Sequence, residues 1–229
     1  MGTNVFNPAF AEPNVLIVNT EKLDELGITV EGYADLLQPE LKGKIIAADP
    51  ANSSSAFQSL IGMLYGMGNG DPMSDEAWNF IDEFLVNLDG KVASSSSQVY
   101  NGVASGEYCV GLSYEDPCVE LQAAGEYPVK VVYAKEGTIF SGQSIQIVKD
   151  APHLEAAQKF VDYVLSEKVQ TAVAAELNLR PLRSGIPVND KMIPNEDIKL
   201  FDTYSAAYIA ENKPEIVNTY LEHVEMMME

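Results

Sequence analysis

Short apolar runs alternate with longer segments of helical periodicity along much of the chain. Each apolar run is bounded by turn residues and is too short for a helix, which predicts buried strands. The predicted strands cover residues 14–19, 44–48, 92–93, 108–112, 129–134 and 144–148. Helical patterns separate the earlier strands, at residues 20–27, 29–37, 56–67, 74–90 and 98–104. Strands that alternate with helices indicate an α/β fold with a mostly parallel sheet.

The pattern becomes helical after Pro152. Apolar residues at helical spacing predict C-terminal helices over residues 154–165, 167–177, 195–210 and 214–228. Asp150 and Ser166 stand where the first two of these helices need N-caps. We therefore expect an α/β region followed by a helical segment.

One stretch, Tyr108–Gly125, combines a buried strand, a polar tip and a helix. Four polar residues follow the predicted strand directly: Ser113, Tyr114, Glu115 and Asp116. Asp116 followed by proline is typical of a helix start, with the carboxylate as N-cap and the proline in the first helical position. A strand end that leads into a helix N-terminus is where open α/β sheets bind ligands. A plain cap beside a solvated edge gives the same pattern.

Two serine runs repeat this strand-to-helix turn. Ser53, Ser54 and Ser55 precede one predicted helix, and residues 94–97 precede another. Serine is a common N-cap, but one serine suffices to cap a helix. Hydroxyl groups and the unpaired N–H groups of a helix N-terminus together bind phosphate or carboxylate without a positive side chain. The extra serines therefore favour an anion site over capping alone.

The remaining candidate contacts are one more serine and two carboxylates. Ser141 lies in a polar loop predicted at residues 139–143, beside a strand. Glu115 and Asp116 are adjacent, and adjacent side chains on an extended strand end point apart, which disfavours an acid–base pair of the glycosidase kind. The common nucleophile and phosphate-loop motifs are absent from the sequence. We expect the carboxylates to accept hydrogen bonds from hydroxyl or ammonium groups of a ligand.

The charge balance disfavours two classes of partner. The chain has 34 acidic and 14 basic residues, a formal net charge of −20. Such a surface repels nucleic acid and anionic lipid, so neither is an expected partner. An anionic ligand would need local hydrogen-bond donors, because the field of the whole protein opposes it.

Cysteine and histidine give no sign of a metal centre. Cys109 and Cys118 are interpreted as small buried residues, with a bridge between strand and helix as the alternative. His153 and His223 are far apart in sequence and neither is next to a cysteine, which argues against a metal or catalytic role. No apolar run reaches transmembrane length, and the first residues lack a signal-peptide pattern. We expect no cofactor.

Several motifs in combination carry a resemblance to one family. They are residues 41–45 (LKGKI) with Asp49, Pro50 and the serine turn, residues 102–107 before a VGL strand, residues 156–166 (AAQKFVDYVLS) and residues 180–183 (RPLR). Together they resemble ABC-transporter extracellular solute-binding proteins of the ferric-ion, phosphonate and sugar-phosphate group. The resemblance runs from about Asn14 to Gly185. It implies a periplasmic-binding-protein fold of type 2, in which two α/β lobes joined by crossing strands close on the ligand.

The resemblance also implies that most of the first lobe is missing. Family members carry roughly a hundred further residues before the stretch that matches Asn14. Residues 14–134 would then be the second lobe, and residues 135–229 the return strand and C-terminal helices that complete the first. A truncated chain of this kind would lack half of its ligand cleft. It would also expose apolar surface on its C-terminal helices, and we expect the fragment to self-associate.

The resemblance carries the two serine turns over as ligand contacts. Ser54 and Ser55 match the family's anion-binding turn, and Ser96 and Ser97 match its second polar turn. This implies a small anionic solute, phosphate-bearing like a sugar phosphate or a phosphonate, and an ABC permease in the membrane as partner. The implied location is periplasmic or extracellular, with the full-length protein lipid-anchored or secreted.

One departure from the family pattern bears on the ligand. Glu115 and Asp116 fall where ferric-ion binders have the tyrosine pair that ligates iron, and Tyr114 stands beside them. This departure favours the pattern of organic-phosphate binders, in which an acidic pair accepts hydrogen bonds from sugar hydroxyls or an amine. A ferric-ion-binding protein of an iron importer is the alternative.

Two hypotheses from other classes remain open. An enzyme could use Glu115 and Asp116 as catalytic carboxylates, and turnover of a sugar phosphate would establish it. A purely structural fragment could dimerise through an exposed lobe face, and a concentration-dependent mass would reveal it. We expect a non-enzymatic solute-binding protein.

Overall fold

The structure is a computed structural model that describes residues 7–228. The chain divides into two compact units. Among the described residues, the first contains residues 7–13 and 140–197, and the second contains residues 14–139 and 198–228. The proposed lobes, 14–134 and 135–229, have different bounds from these units, and the lobe assignment stays a prediction.

The strands and helices follow the predicted alternation through most of the chain. The strands are β1 (Asn7–Asn19), β2 (Ile45–Ala48), β3 (Val92–Ala93), β4 (Val110–Tyr114), β5 (Val129–Val132), β6 (Phe140–Ile145) and β7 (Arg180–Pro181). The α-helices are α1 (Thr20–Leu26), α2 (Ser54–Met67), α3 (Asp75–Leu88), α4 (Ser96–Ala104), α5 (Glu115–Ala124), α6 (Leu154–Val164), α7 (Glu167–Glu176) and α8 (Ala206–Met228). Short 3-10 helices cover Ala34–Leu37, Pro39–Leu41 and Asn195–Asp197. The predicted α/β fold is confirmed.

The second unit is built on a sheet with the strand order β3-β2-β4-β1-β5. β2 pairs in parallel with β3 and β4, whereas β1 is antiparallel to both β4 and β5. Four of the strands therefore run in one direction, as predicted, and β1 runs against them. Asn14 lies opposite Tyr114 in the β1–β4 register. The first residue of β1 in this unit thus shares a sheet edge with the carboxyl end of β4.

Apolar helix faces cover this sheet. α2 and α3 bury their large side chains in the same core as Val110 and Leu112 of β4, among them Phe57, Leu60, Ile61, Leu64, Trp78, Ile81 and Phe84. Each such burial contributes about 1.5–3 kcal/mol before conformational entropy is subtracted. α4 lies close to the sheet at Gly111, where an added Cβ would be 2.8 Å from the side chain of Val99. This glycine allows α4 to pack directly on β4.

The first unit is smaller. The first part of β1 pairs antiparallel with β6 and with β7. Arg180 of β7 is only 1% exposed, donates from Nη1 to Oδ1 of Asn195 (2.6 Å) and lies over the Phe140 ring. Gln143 donates to Oε2 of Glu12 (2.7 Å), which ties β6 to β1. These polar contacts connect β6 to β1 and β7 to the 3-10 helix at Asn195.

Several predicted boundaries in the first unit were wrong. Most of the polar loop expected at residues 139–143 belongs to β6, because these residues pair with β1. The strand expected at residues 144–148 therefore ends at Ile145. Asp150 does not cap α6, whose N-cap is His153 without a side-chain hydrogen bond. Ser166 caps α7 as predicted, accepting from the N–H of Val169.

Three predicted helices differ from the structure. The pattern at 29–37 forms only the 3-10 helix Ala34–Leu37. Instead of two helices at 195–210 and 214–228, one continuous helix α8 contains Pro214. A proline inside a helix costs about 3 kcal/mol or more. Burial of Ile209, Ile216 and Tyr220 on both sides of it opposes this cost.

Two expectations concern the chain as a whole. Within residues 7–228, the structure contains no helix with both the length and the apolar character needed to cross a membrane. Cys109 and Cys118 are both buried and form no disulfide bond, as predicted.

Candidate ligand-binding site

Three strand-to-helix turns lie at one edge of the second unit's sheet. β2, β3 and β4 run in the same direction, and each is followed by a helix, α2, α4 and α5 respectively. The N-termini of these helices therefore follow the carboxyl ends of neighbouring strands. The first N–H groups of an α-helix have no intrahelical acceptor, and the helix dipole makes this end positive. Such an edge suits an anionic group.

The first serine turn divides its hydroxyl groups between capping and contact. Ser53 is the N-cap of α2 and accepts from the N–H of Ala56 at 3.3 Å. The Oγ of Ser55 lies 3.1 Å from the Oγ of Ser53 and 2.7 Å from the Oγ of Ser96. Ser54 is exposed. One serine thus caps the helix, and another reaches the second turn.

The second serine turn is arranged in the same way. Ser95 is the N-cap of α4 and accepts from the N–H of Gln98 at 3.3 Å. Gln98 accepts at Oε1 from the N–H of Ser94 (3.0 Å), the residue before the N-cap. Ser96 is the first residue of the helix and makes the hydrogen bond to Ser55, and Ser97 is exposed. The hydroxyl pair Ser55–Ser96 therefore joins the N-termini of α2 and α4.

Asn14, which was not predicted as a site residue, forms hydrogen bonds to the first serine turn and to α2. Its side chain is 4% exposed and donates from Nδ2 to the carbonyl of Ser55 and to Oγ of Ser59, both at 3.2 Å. Its own carbonyl accepts from Oγ1 of Thr138 at 2.8 Å. The only sequence signal is a polar residue at the start of the apolar run 14–19.

The third turn differs from the prediction in its helix start. α5 begins at Glu115 with Tyr114 as N-cap, so Asp116 is not the N-cap and Pro117 is the third helical residue. β4 extends to Tyr114 instead of ending at Leu112, because Ser113 and Tyr114 still pair with β1. Pairing with a neighbouring strand, which a local pattern does not contain, sets this boundary.

The two carboxylates of this turn have different surroundings. Glu115 is only 1% exposed and accepts a hydrogen bond at Oε1 from the hydroxyl of Tyr133. It is therefore not a solvated edge. Asp116 is half-buried. Burial raises the pKa of the nearby phenol of Tyr100, and the negative charge of Asp116 raises it further.

Two tyrosines stand beside Asp116. The rings of Tyr100 on α4 and Tyr114 at the end of β4 meet edge to face, with centroids 6.4 Å apart. Both residues are half-buried. Next to them, the hydroxyl of Ser113 is buried and has no hydrogen-bond partner among the described residues. Tyr100 and Tyr133 were not predicted as site residues. The sequence signal for Tyr100 is its position four residues after Ser96, which places both side chains on the same helix face.

The sequence matches the family model described as bacterial extracellular solute-binding protein over residues 2–212. The chain belongs to this family. The spermidine/putrescine-binding periplasmic protein of Escherichia coli (strain K12) is 31% identical over 185 residues, which are 77% of this chain and 51% of that protein. The chain thus spans about half the length of the curated relatives it matches.

Two solved structures have the same fold. The periplasmic binding protein AfuA from Actinobacillus pleuropneumoniae, with exogenous fructose-6-phosphate bound, has a TM-score of 0.82 and 23% identity, covering 98% of this chain and 70% of that one. Iron-bound HitA from Pseudomonas aeruginosa has a TM-score of 0.75 and 20% identity, covering 97% and 70%. At this level of identity the likeness shows the fold alone.

The last predicted contact of this solute-binding protein lies in the other unit. Ser141 is on β6, and its hydroxyl donates to the carbonyl of Glu12 at 3.1 Å. Its role toward a ligand stays a prediction.

Residues 7–228 hold no cluster of three or more His, Cys, Asp or Glu side chains arranged for a metal ion. His223 contacts Asp82, with Nδ1 and Oδ1 2.5 Å apart, and stacks on Trp78. His153 is the exposed N-cap of α6. The two histidines thus lie on different helices, His223 in contact with Asp82 and Trp78 and His153 at the start of α6.

Proposed function

We propose that this protein is the solute-binding component of an ABC importer and that it captures a small phosphate-bearing solute, such as a sugar phosphate or a phosphonate. It binds without catalysis and delivers the solute to a permease in the membrane. It works in the periplasm or outside the cell. Membership of the extracellular solute-binding family supports the general function.

The observation that carries the ligand class is the hydroxyl pair of Ser55 and Ser96, 2.7 Å apart. It joins two helix N-termini through neutral hydroxyl groups. Because hydroxyl groups rotate, both can turn their hydrogens toward an anion that enters the turn. Together with unpaired N–H groups they can take the place of positive side chains, which this chain has in small number, 14 against 34 acidic residues.

The third turn supplies acceptors for the rest of the solute. Asp116 is half-buried beside Tyr100 and Tyr114. A carboxylate accepts hydrogen bonds only, so it selects hydroxyl or ammonium donors. A site that hydrogen-bonds a hydroxyl or amino group of its ligand rejects an analogue that lacks this group, which favours such a solute over a bare anion. AfuA, of the same fold, has fructose-6-phosphate bound.

Ferric ion is a second candidate ligand. Three phenols and two carboxylates lie around the start of α5: Tyr100, Tyr114, Tyr133, Glu115 and Asp116. Oxygen donors of this kind suit a hard cation. HitA, also of this fold, is iron-bound.

A thermal-shift screen of the chain separates these ligand classes. The arms are glucose 6-phosphate, aminoethylphosphonate, inorganic phosphate, ferric citrate and spermidine, the last because of the Escherichia coli relative. A ligand that binds only the folded state at about 100 times its Kd adds about 2.7 kcal/mol of stability. We expect a shift with an organic phosphate that is lost in Ser55→Ala. A shift with ferric citrate alone establishes the second candidate, and a shift with spermidine alone contradicts the anionic ligand.

A further inference from the structure

α4 presents two different chemical groups on one face. Ser96, its first residue, belongs to the hydroxyl pair, and Tyr100 follows four residues later. Side chains four residues apart on a helix are neighbours, with Cβ atoms about 5–6 Å apart. One helix therefore carries an anion contact and, one turn further on, a phenol.

The surroundings of Tyr100 connect it to the third turn. Its ring packs edge to face against Tyr114, and it is half-buried, so part of the side chain stays accessible. The charge of Asp116 helps to raise the pKa of Tyr100 above its ordinary value, after burial. A tyrosine phenol is protonated at neutral pH even at its ordinary pKa of about 10, so the Tyr100 hydroxyl can both donate and accept.

We propose that Tyr100 is a specificity-determining residue of this site, contacting the hydroxyl-bearing or amino-bearing part of a ligand whose anionic group lies at Ser55 and Ser96. This inference rests on the proposed function and adds to it. The ligand has two ends, an anion and a group of hydrogen-bond donors, separated by about one helical turn. Tyr100 and Asp116 form hydrogen bonds with the donor groups at the second end of the ligand. Inorganic phosphate has no such second end.

A purely structural role for Tyr100 makes a different prediction. If the ring only packs against Tyr114, its loss should weaken every ligand to the same extent. If the hydroxyl contacts the second end of the ligand, its loss should weaken two-ended ligands and spare phosphate. Tyr100→Phe keeps the ring and removes the hydroxyl, so it separates the two roles without a change in packing.

The experiment is calorimetric titration of the wild type, Tyr100→Phe and Tyr100→Ala with glucose 6-phosphate and with inorganic phosphate. Tyr127→Phe, an exposed tyrosine beyond the other end of α5, is the matched control. We expect Tyr100→Phe to raise the Kd for glucose 6-phosphate about tenfold, the value of one hydrogen bond. The Kd for phosphate should change less than about twofold.

The outcomes separate this inference from the proposed function. Equal weakening of both ligands, or no weakening of either, overturns the role of Tyr100 while Ser55→Ala still tests the anion site. A wild type that binds no phosphate-bearing compound overturns both. Circular dichroism and thermal melting check that Tyr100→Phe is folded. If Tyr100→Ala does not fold, the comparison of Tyr100→Phe with the wild type still tests the role of the hydroxyl group.

Discussion

The hydroxyl groups of Ser55 and Ser96 lie 2.7 Å apart, although the two residues are 41 positions apart in sequence. Their hydrogen bond joins the first turns of α2 and α4. Neither serine is the N-cap of its helix, since Ser53 and Ser95 fill that role. The serine runs thus divide into capping and contacting residues, and each part can be tested separately.

The capping part predicts a difference in stability within one turn. Ser53→Ala removes the acceptor for the N–H of Ala56 and should lower the free energy of unfolding by about 1 kcal/mol. Ser54→Ala, at the exposed next position, should change it by less than about 0.5 kcal/mol. Urea denaturation of both variants measures the difference. Equal effects of the two substitutions would show that the cap does not stabilise α2.

The contact between Glu115 and Tyr133 predicts a cost for removing its donor. Glu115 is 1% exposed, and the Tyr133 hydroxyl donates to its Oε1. Tyr133→Phe leaves that buried oxygen without this donor and should lower the free energy of unfolding by about 1–3 kcal/mol. Tyr127→Phe, at an exposed position, should leave it unchanged. Unfolding curves in which the two variants coincide would contradict this.

Periodicity and turn residues predicted most of the second unit, because they report burial and local chain reversal. They could not predict the direction of β1, since a buried apolar run reads the same whether its neighbours are parallel or antiparallel. The helix boundary predicted at Pro214 was wrong because a local pattern does not contain tertiary packing. The burial of Ile216 and Tyr220, which keeps α8 continuous, has no local signal.

The arrangement of the candidate site could be predicted in part, while the role of its residues toward a ligand stays a prediction. Three polar strand-to-helix turns were visible in the sequence, and the sheet order places two of them in contact. The supporting residues were not visible. Asn14 contacts a turn 41 residues later, and Tyr133 contacts a carboxylate 18 residues earlier. Single polar residues at the ends of apolar runs are too common to be chosen without the fold.

Tyr220 predicts a loss of stability at high pH. Burial raises the pKa of its phenol to about 12 from 10.0, and the charge of Asp49 contributes. The folded state therefore favours the neutral phenol, and this stability is complete below pH 10 and is lost as the pH rises through about 12. Between about pH 9 and pH 11.5 the loss should be about 2 kcal/mol.

The matched variant for this prediction is Tyr220→Phe, which lacks the titrating group. Its free energy of unfolding should fall less than that of the wild type over the same pH range, by about 2 kcal/mol. Urea denaturation at both pH values measures the two losses. Equal losses would mean that Tyr220 titrates alike in the folded and unfolded chain.

The self-association expected of this chain stays a prediction, and the exposed apolar side chains of α6 are where it can be tested. Leu154, Phe160 and Tyr163 are 52%, 60% and 55% exposed. Exposed apolar surface favours association. The double variant Phe160→Ser/Tyr163→Ser should shift sedimentation toward the monomer, whereas Tyr208→Ser in the second unit should not. A wild type that stays monomeric at all concentrations would contradict the prediction.

The most direct test of the anion site is calorimetric titration of glucose 6-phosphate into the wild type and into Ser55→Ala/Ser96→Ala. Hydrogen bonds to a charged group contribute about 1.5–3 kcal/mol each, so loss of both hydroxyl groups should weaken binding about a hundredfold or more. Ser105→Ala, at the opposite end of α4, is the control and should bind as the wild type does. Wild-type affinity in the double variant would contradict the account.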